Sequence, residues 1–263
     1  MGKVIILVLL LLEAALSSFA AGEPVSPPVV PVYGYRMVRA FPHDSGAFTQ
    51  GLVMADGVLF ESTGLNGRSS LRRVDLATGT VLQSRELSRQ FFGEGVTVLG
   101  KRIIQLTWRT GVGFVYDRDT FDLQQNFVYP GEGWGLTTDG THLIVSDGTA
   151  VLRYFDQETF AEKRRVTVVD QAGPVTGLNE LEYVGGRIFA NVWQTERIAI
   201  IDAQNGRVTG WLDLSGLLAP EERARPVDVL NGIAHDSRTG RLYVTGKLWP
   251  RLFQIELVPP RGK

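Results

Sequence analysis

The chain has 263 residues, 44% of them apolar, and a net charge of −1. That suffices for the core of one sizeable domain, and the scattered basic residues leave no electrostatic footprint for nucleic acid. With no cysteine and three widely separated histidines, His43, His142 and His235, thiol catalysis and sulfur metal sites are excluded; the histidines are expected on turns and at the surface, not around zinc.

The start has the pattern of an export signal. "MGK" gives a short positive region, "VIILVLLLLEAAL" an apolar core and "SSFAAG" a small-residue cleavage site near Ala20 to Gly22. A membrane anchor needs about twenty unbroken apolar residues, and Glu13 interrupts this shorter run. Residues 1–22 are therefore expected to be a signal peptide that leaves no membrane attachment. Residues 23–32, with "EPVSPPVVPV", form an extended proline-rich leader, and residues 33–263 form one catalytic domain.

After the leader, "YGYRMVRAF" (33–41) has the look of a strand that belongs to no repeat. Then five related segments follow: "TQGLVMADGVLFESTG", "GEGVTVLGKRIIQLTW", "GWGLTTDGTHLIVSDG", "LNELEYVGGRIFANVW" and "LNGIAHDSRTGRLYVTGK". Each carries a polar or aromatic marker, usually a glycine, an apolar residue, a turn and a run of β-formers. The markers Gln50, Glu94, Trp134, Asn179 and Asn231 recur at intervals of roughly 40 to 50 residues, the length of a four-stranded propeller blade. The last interval is stretched by the insertion "LSGLLAPEERARPVD".

A second recurring piece, such as "GFVYDRDTFDLQ", places Asp75, Asp117, Asp156 and Asp202 at equivalent tight turns, where a carboxylate can hold backbone N–H groups. The final segment ends after three strands, at "RLFQIELVPP". The predicted fold is all-β: a five-bladed β-propeller whose ring is closed by the N-terminal strand completing the last blade.

In such a ring, equivalent positions face one another around one axis. The markers form one circle; the ends of the second strands, Gly64, Trp108, Gly148, Trp193 and Lys247, form another. One acid, a lysine, amides and three of the chain's five tryptophans then converge on one concavity, as in a ligand site. Trp211 and Trp249 receive no assignment, since either can serve as packing. In an aromatic pocket Glu94 loses hydration, so its pKa is expected to rise toward the range useful for proton transfer. Lys247, the Asn179 amide or an indole N–H can stabilise an oxyanion.

The motifs "FTQGL", "LFESTG", "FGEGVT", "QLTW", "EGWGLTTDG", "LNELEYV", "NVWQT" and "VLNGIA" resemble the plant and bacterial glutaminyl-peptide cyclotransferases (glutaminyl cyclases), over about residues 35–257. The resemblance implies conversion of an N-terminal glutamine to pyroglutamate with release of ammonia. It makes Glu94 of "FGEGVT" the proton shuttle, with Asn179 and Lys247 as further catalytic residues. Gln50, Trp108, Trp134 and Trp193 become the substrate pocket. It also implies peptides or proteins with N-terminal glutamine as partners. No cofactor or metal is required for catalysis in such a family, although a structural cation in the channel stays open. A monomer in the periplasm or medium is expected.

Two other readings stand beside it. Glu94, Asn179, Asn231 and Gln50 are oxygen donors that a calcium-dependent lactonase could use, though Lys247 would repel the cation. An exported propeller that only binds a peptide is the third.

Overall fold

The computed structural model describes residues 29–260. The expected signal peptide and most of the leader lie outside the described residues. Within them the chain is almost wholly β, its one helix being the four-residue turn Pro220–Arg223. No described helix is long and apolar enough to cross a membrane.

Alternating patterns and tight turns set the strands. The first hairpin pairs Thr49–Ala55 with Val58–Thr63, across Asp56 (φ 53°) and Gly57 (φ 80°). Both lie in the left-handed region, as a two-residue Asp-Gly turn requires. The expected aspartate turns form. Thr78 N–H donates to Asp75 at 2.8 Å, Asp119 N–H to Asp117 at 2.9 Å, Thr159 N–H to Asp156 at 2.8 Å and Gln204 N–H to Asp202 at 2.8 Å.

The strands assemble into three sheets of four, one of eight and a small two-stranded piece. The eight-stranded sheet holds the fourth and fifth repeat units together with the N-terminal strand Val32–Pro42. That strand pairs antiparallel with Arg251–Val258 and touches Val208–Asp213 through a two-residue parallel contact.

The first strands of the units pack against one another in cyclic order. Thr49–Ala55 meets Gly93–Leu99, then come Leu136–Thr138, Leu178–Val184 and Leu230–Asp236, which returns to the first. Apolar clusters fill the spaces between neighbouring sheets. Val53, Phe60 and Leu71 face Val96, Ile103 and Phe114; Met54, Leu59 and Val74 of the first unit face Ala234 and Tyr243 of the last. The arrangement is propeller-like.

Glycines after the markers allow this close approach. A Cβ on Gly51 would lie 2.6 Å from the Val96 nitrogen, and one on Gly95 2.4 Å from the Leu136 nitrogen. In the fourth unit the equivalent place belongs to Glu180, which is fully buried. Its carboxyl reaches across the axis to accept N–H groups from Ile233 at 2.8 Å and Leu52 at 3.2 Å. Nearby Glu182 accepts the His235 N–H at 2.8 Å.

Burial pushes both carboxyls up, Glu180 well above the usual range and Glu182 to about 8. Glu182 is therefore protonated in the fold near neutrality, whereas its unfolded value is about 4.5. Its contribution to stability is complete below about pH 4.5 and is lost as pH rises through about 8. The slope between those values is about 1.4 kcal/mol per pH unit. Glu182→Gln, which imitates the neutral acid, should flatten the fall in Tm between pH 5 and pH 8 and raise Tm at the upper end. A variant whose Tm parallels the parent's throughout would mean that Glu182 is ionised in the fold.

His43 departs from expectation. Its side chain is 3% exposed and lies between the Trp249 carbonyl at 2.7 Å and Glu61 at 3.0 Å.

Candidate active site

The backbone aims the markers inward. Strand pairing shifts register at Thr49/Gly51, Gly93/Val96, Leu178/Leu181 and Leu230/Ile233, beside the marker each time. Such bulges bend the strand and re-aim side chains. Across the first hairpins, Trp108 N–H bonds the Phe92 carbonyl at 3.0 Å, Trp193 N–H that of Gly177 at 2.8 Å and Lys247 N–H that of Val229 at 3.0 Å. The two predicted circles are thereby brought side by side.

Gln50, Glu94, Trp108, Trp134, Asn179, Trp193 and Lys247 all line one cavity of about 340 Å³. Asn231 does not. It is wholly buried and donates its amide N–H to Thr49 O at 3.0 Å and to Gln50 Oε1 at 3.3 Å. Gln50 in turn donates from Nε2 to Glu94 Oε1 at 3.0 Å. Asn231 thus fixes which way the Gln50 amide faces, and Gln50 holds one carboxyl oxygen of Glu94.

Glu94 is 3% exposed. Burial lifts its pKa well above the usual carboxylate range; Lys247 opposes that shift and Glu132 adds to it. Lys247 is 5% exposed, with its ammonium 4.8 Å from the centre of the Phe48 ring. Burial lowers its pKa, while Glu94 and Asp228 pull it back up. Groups whose charged forms are disfavoured by burial beside a specific charge partner cluster at functional sites. Asn179 is 3% exposed, and its Oδ1 has no hydrogen-bond partner among the described residues. A buried acceptor left open in a cavity wall invites a donor from a ligand.

The indoles differ from expectation. Trp108 Nε1 donates to Glu132 at 2.7 Å and Trp134 Nε1 to the same oxygen at 2.9 Å. Arg109 holds the other Glu132 oxygen at 3.2 Å and lies over the Trp108 ring at 3.8 Å. Their N–H groups are thus engaged by Glu132 and not available to an oxyanion. Trp134 meets Trp193 edge to face at 5.7 Å, and Trp193, 44% exposed, forms the outer lip.

Phe48, Phe92 and Val229 also line the cavity and were not singled out from the sequence. They stand two residues before the markers Gln50, Glu94 and Asn231, as Glu132 stands two before Trp134. A strand repeats its facing every second residue, and that period was the available signal. Both glycines beside Glu94 serve strand packing, since a Cβ on Gly93 would lie 2.6 Å from the Thr63 carbonyl oxygen and one on Gly95 2.4 Å from the Leu136 nitrogen. Among the described residues no group of three or more His, Asp or Glu gathers in a way that could hold a metal ion.

A propeller-like scaffold with a buried acid, a lysine and an aromatic wall around one cavity has the layout of a catalytic pocket. The chain belongs to the glutamine cyclotransferase family, whose model matches residues 8–257. It is 47% identical over 234 residues to the glutaminyl-peptide cyclotransferase of Arabidopsis thaliana, covering 87% of this chain and 72% of that protein. It is also similar to the structure of Myxococcus xanthus glutaminyl cyclase, with a TM-score of 0.82 and 36% identity, covering 88% of this chain and 99% of that one.

Proposed function

We propose that the protein cyclises the N-terminal glutamine of peptides to pyroglutamate and releases ammonia, using Glu94 as its proton shuttle. The observation that carries this reading is a desolvated carboxyl held by Gln50 in the same aromatic cavity as Lys247 and Asn179.

The glutamine α-amine has a pKa of about 7.7 to 8.0, so much of it arrives as ammonium. Beside an ionised Glu94 of raised pKa, the ammonium gives up one proton and becomes a nucleophile. Folded against the tryptophans, it attacks its own γ-carboxamide carbon, and that proximity supplies much of the rate. The C–N bond forms as the carbonyl π pair moves to oxygen, and Lys247 stabilises the resulting oxyanion. Glu94 then donates its proton to the amide nitrogen, the oxyanion pair re-forms the carbonyl as the C–NH₂ bond breaks, and ammonia is released. The lactam nitrogen passes its extra proton to Glu94, which yields it to the departing ammonia, so ammonium leaves and the carboxylate is restored. Asn179 Oδ1 accepts an N–H of the substrate throughout.

These steps call for proton transfer and charge stabilisation alone, so we read the reaction as independent of a cofactor. The Gln50 and Asn231 amides point their N–H groups along the chain to Glu94, a donor arrangement unsuited to gripping calcium. A Gln-initiated dipeptide should therefore yield ammonia at the same rate with and without chelator. Absence of ammonia, with lactone opening abolished by chelator, would move the assignment to the lactonase class.

We also read the fold as five blades closed by the N-terminal strand. The cyclic packing of first strands and the pairing of Val32–Pro42 with Arg251–Val258 support it. The signal-like start supports export to the periplasm or medium.

Glu132 is a positioning residue in this scheme. Glu132→Ala should raise KM roughly fivefold, since two indoles lose a charged acceptor that is itself partly exposed. Because the Glu132 charge raises the Glu94 pKa, the acid limb of kcat/KM should move to lower pH. A purely structural role would leave that limb in place.

A further inference from the structure

A second groove, about 450 Å³ in volume, opens beside the cavity. The two share Gln194, Asp228 and Val229 in their walls. One side of the groove is the stretched insertion that precedes the fifth unit, anchored by the buried Leu217 and Leu218. The Asp228 end of the insertion is pinned to the strand that carries Lys247. Asp228 N–H bonds the Lys247 carbonyl at 2.9 Å, and Trp249 Nε1 bonds the Asp228 carbonyl at 2.9 Å. At the shared wall Gln194 has φ 62°, a strained conformation for a residue with a side chain.

We propose that this groove is the binding subsite for the peptide chain that follows the glutamine, and that it favours a basic residue there. The inference rests on the cyclisation reading. With the glutamine side chain and α-amine inside the cavity, its own carbonyl must lead the rest of the peptide out through the mouth, and the groove is continuous with that mouth.

The charges set the preference. Glu196, Arg223 and Asp228 line the groove; Arg223 pairs with Glu196, while Asp228 is exposed. Lys247 pulls on Asp228 from the cavity, but it is 5% exposed and does not line the groove. Two carboxylates against one arginine leave the groove acidic, worth roughly a two- to fivefold preference at an exposed site, fading with salt.

The test compares glutaminamide, which ends before the groove, with Gln-Ala-Arg-Ala-amide and Gln-Ala-Glu-Ala-amide. Each enzyme's kcat/KM on the peptides is divided by its own value on glutaminamide. The arginine peptide should exceed the glutamate peptide two- to fivefold at low salt, through KM, and the gap should close in the Glu196→Gln/Asp228→Asn double variant. Normal glutaminamide turnover with equal values for both peptides, or a preference that survives in the double variant, overturns the subsite. Absence of glutaminamide turnover overturns the cyclisation reading and the subsite with it.

Discussion

Replacing Glu94 by Gln is expected to lower kcat by roughly 10²- to 10⁴-fold, the range lost with a positioned acid–base group. The substitution keeps the volume, and its amide oxygen can still accept the Gln50 N–H that now reaches Glu94 at 3.0 Å. Burial already favours the uncharged form of the carboxyl, so an uncharged amide in its place should leave Tm equal or slightly higher. Loss of turnover beside an unchanged melting curve is thus a chemical result, free of unfolding. Ammonia release from a Gln-initiated peptide and thermal melting together check it. If the variant kept more than about a tenth of parental turnover, the proton would be travelling by another route and the shuttle would have to be sought elsewhere.

The second large effect concerns Lys247. Lys247→Ala should reduce kcat by roughly 10²- to 10³-fold, as expected for removing a group that stabilises developing charge in a dry site. KM should change far less, because the charge on oxygen exists only after attack. The substitution also has a directional signature. Lys247 lowers the Glu94 pKa against the effect of burial, so its removal sends that pKa higher. A carboxyl must be ionised to receive the amine proton, and the acid limb of kcat/KM should therefore move to higher pH. Glu132→Ala is expected to move it the opposite way. A lysine that served only to hold substrate would raise KM and leave kcat unaltered.

The repeat made the site legible. Glu94 and Lys247 lie far apart in sequence, and only their equivalent places in successive units put them on facing circles; the structure sets both in one cavity wall. The rise in the Glu94 pKa was likewise foreseeable from an aromatic, enclosed setting. Other features depended on side-chain direction, which a marker does not carry. Asn231 holds a marker position, yet its amide turns to Gln50 and Thr49 instead of the cavity. Glu132 in "GEGW" has the same glycine neighbours as Glu94 but holds no marker position, so the repeat does not single it out. It takes the tertiary placement of Trp108 beside Trp134 to make it their common acceptor. Glu180 was hidden for the converse reason: it replaces a glycine at a crowded place, and nothing local announces that its carboxyl crosses to Leu52 and Ile233.

The pairing of Val32–Pro42 with Arg251–Val258 has a bearing on how the chain matures. Until Arg251–Val258 has been made, Val32–Pro42 has only its two-residue contact with Val208–Asp213, so the sheet is completed by strands from opposite ends of the described chain. Contacts of such long sequence separation form slowly. A copy truncated near residue 250 would present most of Val32–Pro42, all but the end that meets Val208–Asp213, as a bare edge, a template for clumping with its neighbours.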